Sequence, residues 1–153
     1  VCVYVPNGQS VDSDKYQYKL DWLKHFTVWL KNEMVSFPDI IIAGDFNIAP
    51  QDIDCHDPEA WKNNILVSPR ERDAFQKIID LGLSDNFRAM NPTEIQYSWW
   101  DYRMAGFRRN LGMRIDHILT NKNITDKTTN SVIDKEPRKS ERPSDHTPVI
   151  IEF

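Results

Sequence analysis

The 153-residue sequence holds only two cysteines, Cys2 and Cys55. They make no disulfide framework and lack metal-ligand spacing, so a reducing compartment, the cytoplasm, is the expected location. Long hydrophobic runs are also missing. The longest, at residues 40–43 and 149–151, fall far short of the roughly 20 residues a membrane helix needs. With a mean hydropathy of −0.59, no membrane partner is expected. No series of charged, apolar and small residues opens the chain as a secretory signal would. There is no repeat, no low-complexity tract and no linker, which points to one domain. No methionine opens it either: Val1 lies inside an apolar run, a start that reads as a cut. What is present, 40% apolar and 11% aromatic residues, excludes a disordered chain.

Charge is scarce in sum but segregated. The net value of −4 argues against a chain that adheres to nucleic acid everywhere. Residues 1–102 carry 9 basic and 16 acidic side chains, whereas residues 103–142 carry 10 basic and 5 acidic. Such a split can set a cationic rim beside an acidic pocket, although on charge alone a solvated basic loop is the better account.

Strands and helices alternate early. Residues 1–5 read as a buried strand stopped by Pro6-Asn7-Gly8. Leu20, Leu23, Phe26, Leu30 and Met34 recur at steps of three or four, which predicts a helix over residues 14–37, capped from within residues 12–14 and ended by Pro38. Residues 39–44 are a short β-branched strand followed by an acidic loop. Ser68, Pro69 and Glu71 supply an N-cap, a first-turn proline and a capping-box glutamate for a second helix that stops at Gly82. Beyond it, residues 97–100, 114–120, 132–134 and 147–153 read as strands. The sum is an α/β layered fold.

Candidate chemistry sits where strands end. Gly44 lets the backbone turn, so that Asp45 and Asn47 project together; the carboxylate suits a hard cation, and the amide can hold a water or phosphate oxygen. Taken alone, Gly-Asp-Phe-Asn is better explained by a plain turn. His146, next to Asp145, is a second strand-mouth group, suited to proton transfer or phosphate binding near neutral pH. Side-chain alternation sends Asp145 and His146 to opposite faces, so the partner that orients His146 must come from another strand. Asp116, a carboxylate in an otherwise apolar strand, is the candidate; pairing with Arg114 is the alternative. Alternation sends His117 to the other face, where a structural role is expected, as for His25 and His56. Tyr4 ends the first strand with a phenol. Trp99, Trp100 and Tyr102 interleave with Arg103, Arg108 and Arg109, a mixture suited to bases and phosphates.

In order, Tyr-Val-Pro-Asn-Gly, Gly-Asp-Phe-Asn, Ser-Trp-Trp-Asp-Tyr-Arg, Arg-Ile-Asp and Ser-Asp-His-Thr-Pro-Val resemble the exodeoxyribonuclease III family of abasic-site endonucleases, within the endonuclease/exonuclease/phosphatase superfamily. The resemblance runs over nearly the whole chain. It implies a DNase I-like four-layer αββα sandwich, of which residues 1–153 would be the C-terminal portion, lacking about a hundred N-terminal residues that carry a metal-binding Glu and an active-site Asn. It also implies roles. Tyr4 would contact the scissile phosphate, Asp45 would orient or activate the attacking water with Asn47 beside it, and Asp116 would hold the catalytic His146. Asp145 would lie near the metal, with Asp45 and Asn47 as further ligands. Trp99, Met113 and Ile115 would line a small apolar pocket for a flipped baseless sugar, and Arg103 would meet DNA. The implied reaction is Mg²⁺- or Mn²⁺-dependent hydrolysis of double-stranded DNA at abasic or 3′-blocked sites, leaving a 3′-hydroxyl, by a monomer when complete. Two other outcomes are a catalytically silent fragment that binds DNA or a partner, and a phosphatase of inositol phosphates or phospholipid.

Overall fold

A computed structural model describes all 153 residues, Val1–Phe153. Strand β1 (Cys2–Tyr4) leads into α1 (Asp14–Ser36), whose N-cap is Ser13, accepting the Tyr16 N–H on its hydroxyl. Leu23, Phe26 and Leu30 form the buried stripe of α1. Strand β2 (Ile41–Asp45) comes next, then the short helix α2 (Pro58–Trp61) and α3 (Pro69–Ile79). The capping box of α3 forms as its sequence predicts: Ser68 Oγ accepts from the Glu71 N–H while the Glu71 carboxylate accepts from the Ser68 N–H.

The later part is more broken than the hydrophobic pattern suggests. Strand β3 (Leu83–Asp85) and helix α4 (Asn86–Met90) have no counterpart in that pattern, because three-residue strands leave no periodicity to read. The expected strand at residues 97–100 shortens to β4 (Trp99–Trp100), which pairs with β5 (Gly112–Met113). Strand β6 (Asp116–Asn121), helix α5 (Lys122–Thr125), strand β7 (Asn130–Ile133) and strand β8 (Val149–Glu152) complete the chain.

The main sheet runs β1-β2-β6-β3, with β1 parallel to β2 and β6 antiparallel to β2 and β3. Helices α1 and α3 cover one face. There Ile42 and Leu119 pack with Leu23, Leu30, Phe46, Phe75 and Ile78 in the main core. The side-chain period of two turns alternate residues to the other face. Cys2, Ala43 and Ile118 line up in register there, one exposed and two half-buried. Gly44 is required between β1 and β2, since a Cβ on it would lie 1.9 Å from the Val3 carbonyl oxygen. A second, smaller cluster of Ala49, Cys55, Leu66, Val67, Met113 and Ile115 supports the loops at the strand ends.

Candidate active site

The register places Tyr4, Asp45 and Asp116 side by side at the ends of three adjacent strands. Asp45 is fixed by Asn47, two residues on. Its Oδ1 accepts the Asn47 backbone N–H at 2.7 Å and its Oδ2 the Asn47 side-chain amide at 3.0 Å. Asn47 has a left-handed backbone, φ 51°, a conformation Asn tolerates better than most residues. Its Nδ2 also donates to the Val5 carbonyl, and its Oδ1 accepts from Asn7 Nδ2 at 2.9 Å. In this arrangement Asn47 is a buried brace, with its amide oxygen already engaged by Asn7.

Asp116 settles the choice of partners left open by the sequence. Arg114 lies just outside β6 and turns inward, where its Nε donates to Asp54 at 2.8 Å and its Nη1 pairs with Asp85 at 2.7 Å. Asp116 is left to His146, whose Nδ1 stands 2.9 Å from Asp116 Oδ2. The main chain that carries Asp116 is pinned by Ser98, whose hydroxyl accepts the N–H groups of both Ile115 and Asp116. Ser98 also accepts, through its carbonyl, the Thr147 N–H, so one residue ties the Asp116 and His146 segments together.

Asp145 accepts the Trp99 indole N–H on its Oδ2 at 3.0 Å, and its charge still bears on His146. The ligand atoms of Asp45, Asp116 and His146 lie within 4.8 Å of one another. Burial and the Asp116 charge push the Asp45 carboxyl up to about 6, with the Asn47 N–H opposing. Burial would lower His146, but the Asp116 hydrogen bond and the charges of Asp116, Asp45 and Asp145 outweigh it, so the imidazole is held above its ordinary value. Two carboxylates crowded against one imidazole, with the chemistry of hard oxygen donors, fit a divalent cation.

The expected apolar pocket is only partly as anticipated. A cavity of about 480 Å³ is lined by Trp99, Trp61, His56, Met104, Leu111 and Arg103, among others. Met113 and Ile115 do not line it, because β5 and the turn into β6 place them, at 0% and 2% exposure, in the smaller core cluster behind it. Arg103 is exposed, and its guanidinium is held by the Asp101 carboxylate at 2.6–3.0 Å. Tyr4 is exposed. His117 is buried against Phe46 and Phe75 with its Nε2 on the Ile48 carbonyl, the structural role expected of it. His56 bonds the Gly112 carbonyl at the cavity edge.

Three contributors escape a reading of the sequence. Ser98 gives no sequence signal. Asp54 and Asp85 sit in loops and caps whose burial no pattern discloses. Lys19 does leave a signal: it stands four residues before Leu23, on the apolar stripe of α1, and is wholly buried there.

Residues 14–146 match the sequence profile of the Endonuclease/Exonuclease/phosphatase family. Exodeoxyribonuclease III of Haemophilus influenzae is 36% identical over 158 residues, which cover 98% of this chain and 59% of that protein. An exodeoxyribonuclease of Bacillus subtilis is 32% identical over 96% of this chain and 56% of its own length. Among solved structures, a 3′-5′ exonuclease from Neisseria meningitidis superposes with a TM-score of 0.98 at 45% identity, over 99% of this chain and 59% of that one. An AP endonuclease from Archaeoglobus fulgidus gives 0.94 at 38% identity, over 99% and 60%. The fold is the α/β, DNase I-like one of these enzymes, and the chain spans about three-fifths the length of the relatives it matches.

Proposed function

Because the chain belongs to the endonuclease/exonuclease/phosphatase family, we propose that it is the C-terminal portion of a metal-dependent DNA-repair phosphodiesterase and carries the proton-handling part of its active site. The observation that carries this reading is the Asp116–His146 pair standing across from Asp45, with more carboxylate than the single imidazole can balance. The Haemophilus and Neisseria proteins are named as exonucleases, another Neisseria structure is of a 3′ phosphatase bound to a product DNA hairpin, and the Archaeoglobus protein is named an AP endonuclease. Double-stranded DNA with abasic or 3′-blocked sites is therefore the substrate we assign.

Each group has a task that its surroundings support. Asp45, braced at a strand end by Asn47, is placed to take a proton from an attacking water. Asn47 fixes the carboxylate in place. His146, whose protonated form Asp116 favours, can offer a positive N–H to the phosphoryl oxygens as negative charge grows on them. Asp116 orients the ring and does not itself exchange the proton. Tyr4, exposed at the next strand end, can donate its hydroxyl to the same phosphate. Asp45, with Asp145 at the rim, would hold Mg²⁺ or Mn²⁺, which when bound neutralises phosphate charge and steadies the departing 3′-oxygen. Trp99 and the cavity beside it offer an apolar surface for a sugar without a base, and Arg103, once released from Asp101, a cation for the backbone.

The portion reading rests on surface. Cys2, Ala43 and Ile118 form an apolar row on the main sheet that is exposed at Cys2 and only half-buried at Ala43 and Ile118, β1 is paired on one side only, and Val1, Trp29 and Phe37 are exposed nearby. A further layer of the same domain would bury these groups. The test is cleavage of an abasic-site duplex with Mg²⁺, by the chain alone and by the chain joined at Val1 to the N-terminal two-fifths of the Haemophilus relative, hereafter the completed domain. Weak or absent cleavage by the chain alone and clear cleavage by the completed domain are expected. Robust Asp45-dependent cleavage by a monomer of the chain alone would overturn the portion reading.

A further inference from the structure

Lys19 is the one fully buried lysine, and its ammonium reaches three oxygens from three segments. It donates to the Asn47 carbonyl at 2.6 Å, to the Asn7 carbonyl at 3.2 Å, and to the Glu71 carboxylate. Nothing else donates to either asparagine carbonyl. The side chains of these same two asparagines are bonded to each other, and Asn47 in turn grips Asp45 at both oxygens. A left-handed residue is held in its strained conformation only when its surroundings over-determine it. Here the carbonyl of Asn47 is drawn inward by a buried positive charge.

Glu71 serves a second master. Its carboxylate also accepts from the Leu66 N–H, the Ser68 N–H and the Ser68 hydroxyl, closing the N-terminus of α3. Burial draws the Lys19 ammonium below its ordinary value even with Glu71 beside it, so a lysine in this position works against its own solvation. An apolar residue would suit the stripe of α1 better. We infer that Lys19 is a positioning residue, which sets the backbone of Asn47 and Asn7 and through them the Asn47 grip on Asp45. The inference rests on the proposed role of Asp45 for its functional meaning, but its geometry stands apart from that role.

Two substitutions break the same ion pair and differ in one respect. Lys19→Met removes the donor to Asn47 and Asn7; Glu71→Gln leaves it. Both lower the melting temperature of the 153-residue chain. Solvent exchange of the Asn47 side-chain amide protons, read by ¹⁵N NMR, separates them. Protection should fall at least tenfold in Lys19→Met and stay within threefold of the unsubstituted chain in Glu71→Gln. Should Lys19→Met fail to fold because Glu71 is left as a lone buried charge, Lys19→Met/Glu71→Gln, which buries no unpaired charge, replaces it with the same expected loss. Equal protection in the lysine and glutamate variants, whether both lost or both kept, overturns the inference. Loss of cleavage in Asp45→Asn judges the proposed function separately, since amide exchange is read without turnover.

Discussion

Asp116 and His117 are consecutive residues of β6 that enter two different charge clusters. His117 faces the helices and joins Arg114, Arg88, Asp54 and Asp85. That cluster is closed and balanced, with two guanidiniums against two carboxylates. Burial would raise Asp85, yet Arg114 and His117 hold it well below the usual carboxylate range. Asp116 faces the opposite way, where it and Asp45 crowd the single imidazole of His146 and Asp145 adds its charge. That cluster is half-open and short of positive charge, and its Asp45 moves up where Asp85 moves down. Similar side chains thus fasten the fold on one face and are left unsatisfied on the other. An unsatisfied cluster at strand ends is what a cation and a phosphate can complete.

The largest expected effect lies on the open side. Asp116→Asn in the completed domain should lower turnover about 10²–10⁴-fold, because the imidazole loses its orienting anion. The melting temperature should move by no more than a few degrees. Near-normal cleavage of an abasic duplex by that variant would erase the distinction between the two clusters.

On the closed side the effect should be on folding. Arg114→Met leaves Asp54 and Asp85 without their shared partner, and urea denaturation should show a loss of about 3–5 kcal/mol. A loss under about 1 kcal/mol, the scale of an exposed ion pair, would mean that the balanced cluster is not what fastens this face.

The two aspartates should also give opposite pH behaviour. Asp45 has its folded-state pKa raised, so the penalty for ionising it is absent below about pH 3, where both states hold the proton, and complete above about pH 7. Asp45→Asn should therefore be more stable than the unsubstituted chain at about pH 8, by about 1–2 kcal/mol once partial exposure is allowed for, with the advantage gone by about pH 3. Asp85 has its pKa lowered, so its contribution is present above the ordinary carboxylate value and drains away as pH falls below it. Asp85→Asn should flatten the acid limb of a melting-temperature profile between about pH 5 and 2. Parallel profiles for the two variants would contradict the assignment.

The smallest effect is expected at Trp99→Phe, which keeps an aromatic face on the cavity and removes the indole bond to Asp145. A two- to fivefold loss of turnover, on the order of the roughly 0.5–1 kcal/mol of one hydrogen bond, should appear with an unchanged melting temperature.

Much of this division is legible in the sequence, and the reason is local. Alternation along β6 separates Asp116 from His117 on sequence alone, and the capping box of Ser68 and Glu71 marks where α3 begins. Gly44 marks the close approach of β1 to β2. What stays hidden depends on distant segments. The partners of Arg114 come from residues 54 and 85, and a helix stripe read for apolar residues passes over Lys19. Met113 and Ile115 resemble pocket walls because their order along the chain is the same whether they face a cavity or a core. Burial at strand ends is decided by the loops packed over them.

The central claim is that Asp45, beside Asp116 and His146, forms a cation-requiring centre for phosphodiester cleavage. The direct measurement is the rate of abasic-duplex cleavage by the completed domain, with Mg²⁺ or with EDTA, for the unsubstituted protein and for Asp45→Asn. Cleavage that needs Mg²⁺ and falls at least about 10²-fold in a folded Asp45→Asn variant is the predicted result. Cleavage within about tenfold of the unsubstituted rate by that variant, or undiminished cleavage in EDTA, would contradict it.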